Sequence, residues 1–257
     1  MFFVISGFLI TSIIVRELDN GSFTFLGFYV SRILRLFPAL LAMIFAVIGA
    51  GYLWLLPDEF ATLGRHIWGA SFFISNFMLL GEIGYFDVAS TKKILLHLWS
   101  LAIEEQFYLI CPFFISIFYR FKIKVALSLA LAVCMFASLF CFAYYLNINP
   151  DRAFYMPTAR FWQILAGCVL ALVPSQIKKQ NIADFLAATS LLAIIILFFM
   201  TPVSTAARFF ATVVVTLGAI CILVSGTSQV NTRLLSRKPL VYLGLISYPL
   251  IYGIGRL

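Results

Sequence analysis

Long apolar runs separated by short polar segments dominate the chain. A helix needs about 20 apolar residues to cross a bilayer, with a range of about 17–25. Runs of this length predict crossings at about residues 1–16, 36–56, 95–119, 124–146, 158–174, 183–200, 207–226 and 240–257. A further run at 67–80 is short and contains Ser71, Ser75 and Asn76, so it predicts a re-entrant or interfacial helix. The pattern therefore predicts an all-α, polytopic transmembrane helix bundle, with about eight crossings plus one short re-entrant or interfacial helix, in a single domain spanning 1–257.

The composition supports a membrane protein. Of the 257 residues, 63% are hydrophobic and 11% are charged. A soluble domain has about 45–50% apolar and about 25% charged residues. The lipid bilayer is therefore the first partner that the sequence predicts.

The net charge of +8 does not indicate a nucleic-acid-binding protein. The basic residues form short clusters between apolar runs rather than a stripe along one face. Such clusters fix orientation, because cytoplasmic loops collect Lys and Arg. Most of them fall on one side if Arg16, Arg32 and Arg35 are cytoplasmic and the 67–80 segment returns to the side it entered from.

The cysteines give no sign of a metal centre. All five fall within predicted spans, no two form a Cys-x-x-Cys pair, and no histidine is close enough in sequence to suggest a zinc site. We therefore predict no metal and interpret as apolar helix residues Cys111, Cys134, Cys141, Cys168 and Cys221.

The segment 97–108 has the most unusual chemistry, because it places His97, Glu104, Glu105 and Gln106 at the head of an apolar run. A carboxylate at the bilayer centre costs at least about 2.5–3.5 kcal/mol. At about 100° per residue, His97, Glu104 and Tyr108 share one helix face and Glu105 lies near its edge. The spacing predicts that these groups line one polar cavity.

Two interpretations of the carboxylate pair stay open. Adjacent carboxylates in a low dielectric should not both ionise easily, and a carboxyl group that stays partly protonated suits general acid–base chemistry. Alternatively, Glu104 and Glu105 neutralise arginines on neighbouring helices as a structural network.

Three arginines are further candidates. Arg32 and Arg35 lie three residues apart, so they share a helix face at the cytoplasmic mouth of the second span. Their guanidinium groups could bind phosphates there. By spacing alone, the favoured alternative is that their positive charge anchors the helix on the cytoplasmic side, with Pro38 in the first helical turn. Arg160, just inside a predicted crossing, either extends to the interface or serves as a counter-ion for Glu104 or Glu105. We expect His66 to lie in a hydrated loop without a special role.

Five stretches together resemble the acyltransferase 3 family of integral membrane O-acyltransferases, typified by bacterial enzymes that O-acetylate surface polysaccharides. The first and third stretches are long and specific. In order, they are Phe2–Thr11, Arg32–Pro38, His97–Tyr108, Arg160–Gly167 and Leu243–Tyr248.

The resemblance implies transfer of an acyl group, usually acetyl, from cytoplasmic acyl-CoA to a hydroxyl of a cell-envelope or exported glycan, in the bacterial cytoplasmic (inner) membrane. Acetyl-CoA would be a donor substrate, with no permanently bound cofactor. Arg32 and Arg35 match the pair thought to meet CoA, and Glu104 and Glu105 match the element near the acceptor side. We add His97 to the catalytic candidates and assign substrate-binding or structural roles to Trp99, Ser100, Gln106, Tyr108 and Arg160.

The chain departs from the family pattern at both ends. The family's preceding helix, with its essential histidine, is missing before Met1, and the His-Trp-Pro that commonly follows Ser247-Tyr248 is absent. We therefore expect a chain that lacks the family's first helix and C-terminal end.

Two alternative functions remain: a glycan or lipid-linked sugar transporter that uses the carboxylates as a proton relay, and a catalytically inactive fragment. The acceptor and the oligomeric state are not predicted.

Overall fold

A computed structural model describes residues 1–83, 93–120, 124–173, 177, 179–200 and 204–242. Within these ranges the chain is helical and no β-strand occurs, which confirms the predicted all-α class. The helices are α1 (Phe2–Asp19), α2 (Phe25–Trp54), α3 (Pro57–Ser71), α4 (Ser75–Gly81), α5 (Leu98–Arg120), α6 (Lys124–Ile148), α7 (Pro150–Tyr155), α8 (Pro157–Leu172), α9 (Gln180–Phe199) and α10 (Thr205–Val224). A π-helical turn lies at Val230–Leu235, and the described residues 238–242 are again helical.

Five of these helices are long and apolar enough to cross a membrane: α2, α5, α6, α9 and α10. Two predicted crossings correspond to shorter or more polar helices, because α8 has 16 residues and α1 ends with Arg16, Glu17 and Asp19. The predicted span at 240–257 lies almost wholly outside the described residues. The multi-pass character is therefore confirmed, whereas the number of crossings stays a prediction.

The helices form two compact units, of which the first comprises Met1–Gly21 and Ile110–Arg237. In this unit α8 packs against both α1 and α6, and α9 packs against α10. Phe142 of α6 packs against Trp162 of α8 and Phe209 of α10, with ring centres 5.9 Å apart in both pairs. The Ser138 hydroxyl accepts a hydrogen bond from the backbone N–H of Trp162 at 2.8 Å, which fixes the register of α6 against α8.

Two glycines allow α1 and α8 to approach each other closely. A Cβ atom at Gly7 would overlap the backbone carbonyl of Ile164, and one at Gly167 would overlap that of Val4. Small residues at helix interfaces permit such backbone contact in membrane proteins, where dispersion forces rather than the hydrophobic effect hold helices together. The α1–α8 contact therefore depends on hydrogen at these two positions.

The second unit comprises Ser22–Leu109 and Lys238–Leu257, and its described part contains α2, α3, α4 and the first half of α5. Its helix α2 begins earlier than the apolar run predicts, because the Thr24 side chain caps it by accepting from the Gly27 N–H at 3.2 Å. Pro38 therefore lies inside α2, and its predicted place in the first helical turn is wrong. Arg32 and Arg35 lie within the same continuous helix.

A common core joins the helices of the second unit. It is formed by apolar side chains of α2, α3, the turn before α5 and the start of α5: Leu36, Ala39, Leu40, Ile44, Leu63, Ala70, Leu95, Leu98 and Leu101. The short element predicted at 67–80 is two helices, since α3 ends at Ser71 and α4 begins at Ser75. Phe73, between them, has a φ of 54°.

The close approach of α1 and α8 predicts a selective effect of adding one methyl group. Gly7→Ala should lower the thermal unfolding midpoint in detergent, because separating the helices costs about 1–3 kcal/mol. Gly49→Ala is the matched control, since Gly49 lies in α2 with open space where its Cβ would be. Equal midpoints for Gly7→Ala and Gly49→Ala would contradict the proposed backbone contact.

Candidate functional site

The polar segment of the sequence lies in the second unit, at the start of α5. Because α5 begins at Leu98, His97 immediately precedes the helix, and its backbone carbonyl accepts a hydrogen bond from the Ser100 hydroxyl at 3.2 Å. The His97 side chain is exposed, whereas those of Trp99 and Ser100 are half-buried. His97 is thus at the polar end of α5, about 10 Å along the axis from Glu104.

Glu104 and Tyr108 lie one helical turn apart on α5, as the periodicity predicts. Glu104 is only 3% exposed and Tyr108 only 5%. The Tyr108 hydroxyl lies 3.5 Å from Glu104 Oε2, a distance at the outer limit for donation of a hydrogen bond. The predicted common face is therefore confirmed for these two residues.

Arg32 of α2 lies against the same part of α5. Its guanidinium carbon is 4.6 Å from the centre of the Tyr108 ring and 5.8 Å from that of Phe28. A cation within about 6 Å of an aromatic face is attracted by the ring quadrupole. The Tyr29 hydroxyl donates to the Leu109 carbonyl at 2.8 Å and further fixes α2 to α5.

The same guanidinium brings positive charge to the carboxylate pair. Arg32 interacts electrostatically with Glu105. Glu105 Oε1 is buried without a hydrogen-bond partner in the part of the chain that the structure describes. The helices α2 and α5 therefore bring together a guanidinium, a phenol and two carboxyl groups: Arg32, Tyr108, Glu104 and Glu105.

The two arginines of the Arg-x-x-Arg pair have different environments. Arg32 is half-buried against aromatic rings, whereas Arg35 is exposed one turn further along α2. Of these two arginine side chains, Arg35 is therefore the more accessible from outside the second unit.

Gln106 connects α5 to the break between α3 and α4. Its amide nitrogen donates to the carbonyl oxygen of Phe73 at 2.7 Å and to Asn76 Oδ1 at 2.9 Å. Asn76 is completely buried. Gln106, predicted as substrate-binding or structural, thus has a structural contact in this unit.

Arg160 belongs to the first unit. Its Nε donates to the Phe154 carbonyl at 3.1 Å, and its guanidinium carbon lies 4.9 Å from the Phe154 ring centre and 5.4 Å from that of Phe142. These contacts hold α6, α7 and α8 together. Its role as a counter-ion for the α5 carboxylates stays a prediction.

A second polar cluster was missed by the sequence analysis. His66 lies in α3 and is only 7% exposed, so its expected position in a hydrated loop is wrong. Its Nε2 lies 2.8 and 3.0 Å from the two Glu82 oxygens, and Lys93 Nζ lies 3.1 Å from Glu82 Oε2. The helical spacing of His66 with Leu63 and Ala70 is a signal that could have shown its burial.

The charges of this cluster set the ionisation of Glu82. Burial works against the charged carboxylate, but hydrogen bonds from His66 and Lys93 and their positive charge outweigh it and hold the pKa below its ordinary value. Among the described residues, no group of three His, Cys, Asp or Glu side chains could hold a metal ion.

The chain belongs to the acyltransferase domain family, which matches residues 1–252. This confirms the resemblance drawn from the five sequence stretches. The cluster formed by Arg32, Tyr108, Glu104 and Glu105 therefore lies within an acyltransferase domain.

Individual relatives agree with the family assignment. The chain is 33% identical over 189 residues to an uncharacterized protein of Haemophilus influenzae, covering 71% of this chain and 77% of that protein. It is 30% identical over 268 residues to a Staphylococcus aureus protein provisionally named O-acetyltransferase, covering 97% of this chain and 44% of the relative. A Bacillus subtilis protein provisionally named peptidoglycan O-acetyltransferase is 31% identical over 270 residues, covering 96% of this chain and 42% of the relative.

The chain therefore spans less than half the length of the Staphylococcus aureus and Bacillus subtilis relatives. No solved structure matches it.

The Glu82 cluster predicts a pH-dependent contribution to stability. Because the folded-state pKa is below 4.5, the carboxylate stabilises the fold above that pH, and this contribution disappears as the pH falls through the folded value. Glu82→Gln should lower the thermal midpoint at pH 7, and its difference from the wild type should shrink as the pH falls below 4.5. Asp58→Asn, at another exposed carboxylate in the first turn of α3, is the control. A difference independent of pH would contradict the assignment.

Proposed function

We propose that this domain transfers an acyl group, acetyl in the simplest case, from acyl-CoA to a hydroxyl of a cell-envelope or exported glycan. One observation carries the proposal: inside an acyltransferase domain, Arg32 lies on the Tyr108 ring and interacts electrostatically with Glu105, and the Tyr108 hydroxyl is close to Glu104. The name of the Bacillus subtilis relative supports a glycan acceptor. The helices of membrane-spanning length support a site in the bacterial cytoplasmic membrane.

The exposed Arg35 guanidinium is the proposed contact for the phosphates of CoA. A planar guanidinium binds phosphate oxygens through two parallel hydrogen bonds. Arg32, held on the Tyr108 ring, would place positive charge near the thioester carbonyl and stabilise the oxyanion that develops there. This division of roles follows from the exposure of Arg35 and the partial burial of Arg32.

The proposed chemistry uses Glu105 as general base. Its carboxylate removes the proton of the acceptor hydroxyl while the hydroxyl oxygen bonds to the thioester carbonyl carbon. The carbon–sulfur bond then breaks, the sulfur leaves as a thiolate and takes up the proton from Glu105, and an ester, free CoA and the regenerated Glu105 carboxylate result. Positioned general bases contribute about 10²–10⁴-fold to rates.

Glu104 and His97 have supporting roles in this proposal. Tyr108 lies close enough to hold the Glu104 carboxyl group, which would fix the acceptor through a further hydrogen bond. His97, with Trp99 and Ser100, lies at the exposed start of α5, where we place the entry of the acceptor. His97 is about 10 Å from Glu104 along the helix, which is too far for direct contact with that carboxyl group. We therefore assign His97 to orienting the acceptor.

One observation favours the alternative of a transporter for glycans or lipid-linked sugars. The break between α3 and α4 resembles the discontinuous helices that bind substrates in many transporters. A transporter would accumulate its substrate unmodified, whereas the proposed enzyme makes a covalent ester. Mass spectrometry of the acceptor therefore separates the two functions.

Replacing the proposed base should abolish transfer without unfolding the protein. Glu105→Gln should lower kcat by about 10²–10⁴-fold, because the amide cannot accept the hydroxyl proton. Reconstituted protein would be assayed with labelled acetyl-CoA and cell-wall glycan fragments, with ester formation measured by mass spectrometry. Glu59→Gln is the matched control, since its side chain lies on the exposed first turn of α3. A wild-type rate in Glu105→Gln would exclude Glu105 as the base.

Removing the exposed guanidinium should weaken donor binding. Arg35→Ala should raise the KM for acetyl-CoA by about 10- to 100-fold, as expected for loss of a hydrogen bond between charged groups. Arg35→Lys should recover only part of the affinity because it cannot bind in the bidentate manner. Arg65→Ala, an exposed arginine of α3, controls for the loss of one positive charge. An unchanged KM in Arg35→Ala would remove Arg35 from the donor site.

A further inference from the structure

The break between α3 and α4 holds an unusual backbone conformation. Phe73 has a φ of 54°, in the left-handed region that bulky side chains rarely adopt. Such conformations persist only where the surrounding structure determines them, and they cluster at functional sites. The backbone N–H of Ile74 closes the turn by donating to the Gly69 carbonyl at 2.8 Å.

Two tertiary hydrogen bonds join this break to α5. The side-chain amide of Gln106 donates to the Phe73 carbonyl at 2.7 Å and to Asn76 Oδ1 at 2.9 Å. The amide group has two N–H donors, so these two acceptors satisfy both of them. Asn76 is completely buried, so its oxygen is shielded from bulk water in the folded protein.

The break also contacts α2 beside its arginines. The Phe73 ring meets the Phe37 ring edge-on, with ring centres 6.1 Å apart and an interplanar angle of 69°. Phe37 lies two residues after Arg35, and Gln106 directly follows Glu105. The strained turn at Phe73 is therefore in contact with a residue two positions after the proposed donor-binding arginine and with the residue directly after the proposed base.

We infer that Asn76 is a positioning residue: through Gln106 it locks α5 onto the α3–α4 break and so fixes Glu105 relative to Arg32. The inference rests on the proposed function. Without the Asn76 oxygen, one buried Gln106 N–H loses its acceptor, and α5 rotates or slides to satisfy it. Because Glu105 is the adjacent residue, its carboxylate moves with Gln106. A misplacement of about 1 Å can cost about 10²-fold in rate.

The proposal is tested by a double-mutant cycle with Asn76→Ala, Gln106→Ala and the double variant in the acetyl-transfer assay. Each single variant should lower kcat by about 10- to 100-fold with little change in the KM for acetyl-CoA. The double variant should be no slower than the slower single variant, because the two residues act through one hydrogen bond. Ser71→Ala is the control, since its exposed hydroxyl donates to the Ile67 carbonyl within α3.

Thermal midpoints of all variants separate positioning from a merely structural role. A wild-type kcat in Asn76→Ala overturns the inference. It is also overturned if the decrease in kcat is fully explained by a smaller folded fraction of the variant, or if the decreases in the two single variants add up in the double variant. If Asn76→Ala does not fold, Asn76→Asp, which keeps an acceptor oxygen at the same reach, should retain more activity than Gln106→Ala. Equal rates in those two variants overturn it. A wild-type protein without acetyl transfer would instead refute the proposed function, and the inference with it.

Discussion

The placement of two adjacent carboxyl groups inside an apolar helix is the constraint on which the second unit depends. Such groups are costly to bury unless neighbouring charges and hydrogen bonds compensate. Arg32 supplies charge from α2, and Tyr108 offers its hydroxyl to Glu104 from one turn further along α5. The position of α2 against α5 is therefore an electrostatic requirement as well as a packing one.

A second layer of contacts maintains this arrangement without carrying charge. Gln106 fixes α5 to the turn at Phe73, and Tyr29 fixes α2 to the Leu109 carbonyl. Both hydrogen bonds join α5 just beyond the carboxyl groups, at Gln106 and at Leu109. Their energies are individually modest, but buried polar groups that lose their partners are strongly unfavourable, so the network favours one arrangement of the helices.

The sequence predicted the features that depend on local pattern. Apolar run length identified the long helices, and the 100° periodicity placed Glu104 and Tyr108 on one face. Features that depend on tertiary contact were not predicted: the buried His66 pairs with Glu82, 16 residues away, and the Phe73 carbonyl accepts a hydrogen bond from Gln106, 33 residues away. The start of α2 was missed because a capping threonine, not hydrophobicity, determines it.

The central claim is that the α5 carboxyl groups and the α2 guanidinium groups form one substrate site. It is tested most directly by a structure determined in lipid nanodiscs with a non-reactive analogue of acetyl-CoA, in which a methylene group separates the sulfur from the carbonyl. We expect the phosphates of the analogue at Arg35 and its acyl carbonyl beside Glu105 and Arg32. An analogue bound away from these residues, or carboxyl groups that face the lipid hydrocarbon, would contradict the account.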